Sequence, residues 1–146
     1  GRDSLFQAEA RRCKNILTTI ENNKEERHFC VFDELYSGTN MFEAIGSSYS
    51  YLKHISTNTN VRFVITTHFI RLCELIKNKK IKKIKNMNMK INMEKYNSEN
   101  MNDNKNIYTY KITKGISKVK GGVYVLQKLN YPSSIINLTK KIINEI

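Results

Sequence analysis

The first half of the chain alternates between stretches of helical periodicity and short apolar runs. The helical periodicity predicts three helices, at residues 4–21, 42–55 and 69–76. The apolar runs predict two strands, at residues 28–33 and 61–66. Unbroken apolar runs are typical of strands buried on both faces, as in a parallel sheet. The order helix, strand, helix, strand, helix therefore predicts an α/β fold with parallel core strands.

The second half has a different pattern. Residues 84–95 and 107–113 alternate apolar and polar positions, and we expect them to pair as an antiparallel ribbon on the edge of the sheet. Residues 119–129 and 133–146 have helical periodicity and are separated by a break at Pro132. They predict a C-terminal helical pair.

Length and composition bound the class of protein. A chain of 146 residues with 40% hydrophobic residues predicts one domain with a real core. It contains no apolar run near the roughly 20 residues that a membrane span needs, and no signal pattern, so we expect no membrane partner. Cys13, Cys30 and Cys73 are far apart and odd in number, which favours free thiols in a reducing, intracellular compartment.

The positive charge is concentrated in one window. The formal net charge is +12, and residues 77–106 alone hold nine lysines, nine asparagines and three acidic residues. A basic patch can contact DNA. Codon usage in an AT-rich genome, acting on a tolerant loop, explains the same composition, and both interpretations stay open. The polar composition of residues 97–106 predicts a loop.

Acidic and histidine side chains end the two predicted strands. Asp33 and Glu34 follow the first apolar run, and His68 closes the second. Because parallel strands end at the same edge of a sheet, we expect the three side chains to converge there. Asp33 could hold Mg²⁺, Glu34 could polarise a water for attack on a γ-phosphate, and His68 could bond that phosphate. The alternatives are an acidic pair that caps a turn and a histidine satisfied within the core.

Two further positions lie at predicted helix starts. Ser4, with Gln7 three residues later, fits a capping box, and a helix N-terminus is also a natural phosphate site. Gly38-Thr39-Asn40 predicts a tight turn in which Thr39 or Asn40 begins the next helix. The phosphate-binding loop G-x-x-x-x-G-K-[S/T] does not occur in the 146 residues.

Four segments together resemble a known family. The order and spacing of these segments resemble the C-terminal half of the ATPase domain of MutS-type DNA mismatch repair proteins. The segments are Ser4-Leu5-Phe6-Gln7-Ala8-Glu9 with Asn15-Ile16-Leu17, Asp33-Glu34-Leu35-Tyr36-Ser37-Gly38-Thr39-Asn40, Thr66-Thr67-His68-Phe69, and Gly122-Val123 with Asn130-Tyr131-Pro132. The stretch Ser-Leu-Phe-Gln-Ala-Glu-Ala-Arg-Arg-Cys, residues 4–13, resembles most the branch from large DNA viruses and octocoral mitochondria. Leu5, Tyr36-Ser37 and Gly121 depart from the family's usual residues.

The resemblance implies a fold and a set of roles. The fold would be a partial P-loop NTPase of the ATP-binding-cassette type that works as a dimer, with ATP and Mg²⁺ as ligands. Asp33 would be the metal-associated carboxylate, Glu34 the general base and His68 the γ-phosphate sensor. Ser4 would reach ATP bound to the opposite subunit, and Thr39 joins the cofactor-binding candidates.

The resemblance also implies an organisation. Residues 1–116 would be the C-terminal part of the ATPase domain, with the Asn/Lys-rich window 77–106 as an insertion, and residues 117–146 a dimerisation element. The P-loop, the DNA clamp and the mismatch-reading domain would lie upstream of Gly1. We therefore expect a fragment that does not hydrolyse ATP alone, whose full protein binds mismatched duplex DNA through upstream domains and pairs with a second MutS-like subunit, most simply an identical one.

Two other function classes stay open at this point. One is another cassette ATPase, for chromosome maintenance or transport, although Ser4-Leu5-Phe6-Gln7 is unlike the Leu-Ser-Gly-Gly signature of that group. The other is a truncated, non-catalytic module for dimerisation or DNA interaction. The compartment is left open among cytoplasm, nucleus, viral factory and mitochondrion.

Overall fold

Helices and strands follow the predicted order along the chain. The computed structural model describes residues 4–79, 81, 83–92, 108–119 and 121–145. The elements are α1 (Leu5–Asn22), β1 (His28–Asp33), α2 (Met41–Ile55), β2 (Val61–Thr66), α3 (Ile70–Asn78), β3 (Met87–Ile91), β4 (Tyr108–Lys114), α4 (Gly121–Lys128) and α5 (Ser133–Glu145). The predicted mixed α/β class is confirmed. The predicted polar loop at 97–106 lies outside the described residues.

The chain divides into two compact units, Gly1–Asn86 and Met87–Ile146. In the first unit, β1 and β2 pair in parallel, with His28 opposite Val61 and Asp33 opposite Thr66. α2 is the crossover between these strands, as parallel pairing requires. The predicted domain boundary between residues 116 and 117 stays a prediction.

One prediction about the parallel strands is wrong. Both strands were expected to be buried on both faces, but their exposure alternates with a period of two. Phe32 is buried, whereas Phe29, Val31 and Val64 are exposed to 70%, 69% and 53%. An apolar run cannot show which of its faces finds a partner, because periodicity reports the side-chain type and not the presence of a covering element. Only one face of this sheet is covered within the described residues.

The core of the first unit lies between the covered sheet face and three helices. Its largest fully buried apolar side chains are Leu52 and Ile55 of α2 and Leu72 of α3. Burial of one such side chain stabilises the fold by about 1.5–3 kcal/mol. Because α2 supplies most of the fully buried residues, it is the element on which both strands and the neighbouring helices pack.

Two buried hydroxyl groups connect the core helices to their neighbours. The Ser48 hydroxyl donates to the Leu35 carbonyl at 3.0 Å, and the Tyr51 hydroxyl donates to the Cys13 carbonyl at 3.1 Å. Burial raises the pKa of the Tyr51 hydroxyl well above its ordinary value, so it remains a donor at neutral pH. These bonds fix α1 and the turn after β1 onto α2. The three cysteines are free thiols, as expected.

The second unit contains the ribbon and the helical pair. β3 and β4 are antiparallel, with Met87 opposite Lys114, and the register shifts between Lys90 and Ile91. The ribbon is confirmed, but its position on the edge of the parallel sheet stays a prediction. Among the described residues, every helix is too short or too polar to cross a lipid bilayer.

Two glycines give a matched test of the packing around the turn after β1. A Cβ on Gly38 would lie 2.8 Å from Leu5 Cγ and 2.9 Å from the Phe6 backbone nitrogen, whereas a Cβ on Gly46 in α2 meets nothing within 4 Å. We expect Gly38→Ala to lower the free energy of unfolding by about 1–3 kcal/mol through overpacking. Gly46→Ala should raise it by about 0.5–1 kcal/mol, because alanine is the better helix former. Urea unfolding followed by circular dichroism measures both, and equal effects would contradict the close packing at Gly38.

Candidate functional site

The candidate site lies at the carboxyl edge of the parallel sheet. Since Asp33 is opposite Thr66 in the register, β1 and β2 end side by side, and the residues after each strand emerge together. Glu34 Oε1 lies 3.2 Å from His68 Nδ1. The structure therefore brings the Glu34 and His68 side chains together at this edge, and the Asp33 carboxylate bonds Thr66 at the end of the neighbouring strand. Their chemical roles stay predictions.

Thr66 connects the Asp33 carboxylate to the Glu34 backbone, a role that was not identified from the sequence. Its hydroxyl donates to Asp33 Oδ1 and accepts from the Glu34 backbone N–H at 3.3 Å. The Thr66 carbonyl also accepts from that N–H, at 3.1 Å. The signal was present in the sequence, because aligning the ends of the two apolar runs places Thr66 directly beside Asp33.

The backbone after β1 takes an unusual conformation. Glu34 and Tyr36 have φ values of 47° and 60°, in the left-handed region that L-residues rarely adopt. Strain of this kind, about 1–3 kcal/mol per residue, persists where surrounding contacts determine the backbone. Here the Thr66 bonds hold Glu34, and burial and a ring contact with Phe6 (5.6 Å between centroids) hold Tyr36. The turn directs the Glu34 carboxylate to His68 at the edge of the sheet.

The Glu34–His68 pair is accessible to water. The side chains of His68 and Glu34 are exposed to 59% and 52%. A pair this exposed adds little to stability. Its exposure leaves the carboxylate able to take a proton from a water molecule, and the imidazole able to exchange one partner for another.

Ser4 is the N-cap of α1, as predicted. Its hydroxyl accepts from the Gln7 N–H at 3.2 Å, and the Gln7 side chain accepts from the Ser4 N–H at 2.8 Å. The start of α1 lies against the turn after β1, where the Gly38 N–H donates to Glu9 Oε2 at 3.4 Å. Ser4 is thus an exposed side chain beside the turn that follows the carboxylates.

The Thr39 side chain forms a hydrogen bond at the start of α2. Its hydroxyl donates to Glu43 Oε2 at 2.7 Å, and Asn40 is the N-cap, accepting from the Glu43 N–H at 3.0 Å. Of the two predicted helix-start candidates, Asn40 therefore takes the cap. The hydrogen bond of Thr39 found within the described residues goes to Glu43 and not to the residues at the sheet edge.

The donor set at this edge suits a cation that takes most of its ligands from elsewhere. Within the described ranges, His, Cys, Asp and Glu side chains form no group of three or more that would hold a metal ion by themselves. Mg²⁺ commonly takes only one or two carboxylates and completes its shell with water and substrate phosphates. The exposed Asp33 carboxylate fits that mode of binding.

Thr66 offers a test of the geometry at the sheet edge. Thr66→Val removes the hydroxyl while keeping the β-branched shape, so we expect a loss of about 1 kcal/mol in the free energy of unfolding. Thr66→Ser keeps the hydroxyl and serves as the control, with a smaller loss. Chemical denaturation measures both variants. A loss in Thr66→Ser equal to that in Thr66→Val would show that the hydroxyl bonds contribute nothing.

Comparison with known proteins gives a consistent result. The family model described as MutS domain V matches residues 1–146. DNA mismatch repair protein MSH2 of Saccharomyces cerevisiae is 28% identical over 144 residues, which cover 98% of this chain and 14% of the yeast protein. DNA mismatch repair protein MutS of Phocaeicola vulgatus is 29% identical, over 99% of this chain and 15% of that protein. MutS protein homolog 4 of Mus musculus is 30% identical over 144 residues, which cover 98% of this chain and 14% of the mouse protein.

The match covers the whole of this chain but a small part of each relative. The chain spans 14–15% of the length of these three proteins. The proposed similarity to the viral and octocoral branch stays a prediction. Because the family model extends over all 146 residues, the chain belongs to the MutS family.

Proposed function

We propose that this chain is the catalytic C-terminal part of the ATPase domain of a MutS-like DNA mismatch repair protein, in which ATP state is coupled to the binding of mismatched DNA. The observation that carries the proposal is the 3.2 Å contact between Glu34 and His68 at the sheet edge beside Asp33, in a chain that matches MutS domain V throughout. The names of the yeast and Phocaeicola vulgatus relatives support the repair role. The substrate would be ATP, with Mg²⁺ as the cofactor.

Each residue at the edge of the sheet has a separate role, which follows from its position. Glu34 is the general base, because its half-exposed carboxylate can take a proton from a water that attacks the γ-phosphate. Asp33 would hold Mg²⁺, which when bound neutralises charge on the phosphates. Thr66 is a positioning residue, since it bonds both the Asp33 carboxylate and the Glu34 backbone.

His68 has two possible partners, and this choice gives it a sensing role. A phosphate oxygen at this site would be a second hydrogen-bond partner for the imidazole ring that contacts Glu34. In the described geometry, Nδ1 is in contact with Glu34. A γ-phosphate would compete for the imidazole and release the Glu34 carboxylate for the attacking water. The presence of ATP is thereby communicated to the base.

The exposed face of the parallel sheet supports the proposal that residues outside this chain complete the site. Phe29, Val31 and Val64 lie on the same face as Asp33 and Thr66, because side chains two positions apart on a strand share a face. We propose that an upstream segment carrying the P-loop covers this face and binds the β- and γ-phosphates. Ser4 would contact ATP bound to a second, most simply identical, MutS-like subunit.

A second candidate function is a non-catalytic module for dimerisation or DNA interaction. The observation that favours it is α5, on which Ile135, Leu138 and Ile142 form an exposed apolar stripe. The coding DNA upstream of Gly1 separates the two functions. A strand followed by Gly-x-x-x-x-Gly-Lys-Ser/Thr supports the ATPase, whereas a stop codon supports the non-catalytic module.

Glu34→Gln tests the general base. In the ATPase that contains this chain, we expect this change to slow hydrolysis at least about 100-fold, because the amide cannot accept the proton. ATP binding should be retained, so the variant traps bound ATP. Single-turnover hydrolysis and filter binding of labelled ATP measure the two effects.

The matched control for this experiment is Glu74→Gln. Glu74 is paired with Arg71 on α3, away from the sheet edge, and the substitution removes the same charge. Its turnover should equal that of the unmodified protein. Unchanged turnover in Glu34→Gln would overturn the assignment of the base, and loss of ATP binding would show a role in binding instead.

Leu138→Lys tests dimerisation through α5. A charge placed within the apolar stripe should weaken self-association at least about tenfold, which corresponds to about 1.4 kcal/mol. Asn137→Lys adds the same charge at an exposed position outside the stripe and should leave association unchanged. Sedimentation velocity over a range of concentrations measures both. Equal association of the two variants would exclude this stripe as the interface.

A further inference from the structure

A basic cleft lies on the first unit, apart from the candidate site. It has a volume of about 650 Å³ and is lined by Tyr49, Lys53 and Thr57 from one side and by Lys79, Ile81 and Lys83 from the other. α2 and α3 each begin after the carboxyl end of a strand and run back along the sheet. The cleft, at the ends of these helices, is therefore at the opposite edge from Glu34 and His68.

The charge in the cleft has one sign. Lys53, Lys79 and Lys83 line it, and within the described part of the chain no carboxylate lines it or forms an ion pair with these lysines. Lys79 Nζ lies 6.0 Å from the centroid of the Tyr49 ring, and Lys83 Nζ is 3.5 Å from the Thr57 carbonyl. Three exposed lysines around one concavity create a local positive potential that favours an anion there.

Helix dipoles explain only part of this arrangement. A cation near the last turn of a helix is stabilised by about 0.3–1 kcal/mol. Lys53 lies in the last turn of α2, and Lys79 is the C-cap of α3, so both gain from this effect. Lys83 lies four residues beyond that cap, outside the range of the helix dipole. The cleft is therefore more basic than helix stabilisation requires.

The sequence segment that supplies Lys79 and Lys83 is strongly basic. Residues 77–85 contain six lysines and no acidic residue. Lysine presents a mobile point charge that suits contacts to phosphate without reading a base. We propose that this cleft is a docking surface for the sugar-phosphate backbone of nucleic acid, so that the chain itself contacts the polymer. This proposal does not depend on the ATPase role.

A lysine substitution series in the full chain tests the proposal. One variant carries Lys53→Gln, Lys79→Gln and Lys83→Gln, and the matched control carries Lys14→Gln, Lys24→Gln and Lys140→Gln. Both lose three positive charges, but the control residues are exposed on α1, on the loop after it and on α5. A third variant replaces the three cleft lysines by arginine. Fluorescence anisotropy with a short labelled duplex, at several salt concentrations, measures the affinity.

The expected result is a difference in salt dependence between the two triple variants. Each lost phosphate contact lowers the slope of log K against log salt by about 0.9, so the cleft variant should lose about two to three units of slope. The control should lose less than about one unit, and the arginine variant should bind as the unmodified chain does. Circular dichroism confirms that all variants are folded.

Three outcomes would overturn the proposal. Equal losses in the cleft and control variants would mean that only net charge matters. No measurable affinity of the unmodified chain for the duplex would exclude the docking surface. Binding of polyglutamate as strongly as of DNA, with loss in the cleft variant, would assign the cleft to an acidic polypeptide instead.

Discussion

The parallel pairing of β1 with β2 is the constraint on which the first unit depends. Because Asp33 is aligned with Thr66, two chain segments separated by 33 positions end at one point of the sheet. Parallel strands need a long crossover, and α2 provides it while also supplying the most buried side chains. One register thus determines the position of the core helix, the strained turn and the acidic edge. A shift of one residue would turn Asp33 to the opposite face.

The elements could be predicted from sequence because their signals are local. The ranges of β1 and β2 agree with their apolar runs, and the Ser4–Gln7 capping box is present as the residue types indicated. The convergence of Glu34 and His68 followed from a general rule about parallel strands. A few neighbouring residues determine the strands and the cap, and the convergence needs in addition only that the two strands are parallel.

Some features could not be predicted from the sequence. They depend on contacts between residues far apart in the chain, or on whether another element packs against a face of the sheet. The role of Thr66 exists only once the strands are in register, since its partners are more than 30 positions away. The left-handed conformation of Glu34 and Tyr36 is imposed by Thr66 and by packing, and neither residue type predicts it. The exposed face of Phe29 and Val31 could not be told from a buried one, because apolar side chains have the same pattern whether or not an element covers them.

The open edges of the parallel sheet have a consequence for the chain in isolation. Among the described residues, β1 and β2 pair only with each other, so each presents one unpaired row of backbone N–H and C=O groups beside exposed Phe29 and Val31. An open, apolar strand edge is a template for intermolecular β-pairing and aggregation. Neither strand contains a proline, and the charged side chains within them are Arg62 of β2 and Asp33 at the end of β1. The solubility of this chain should therefore depend on whether another segment pairs with these edges.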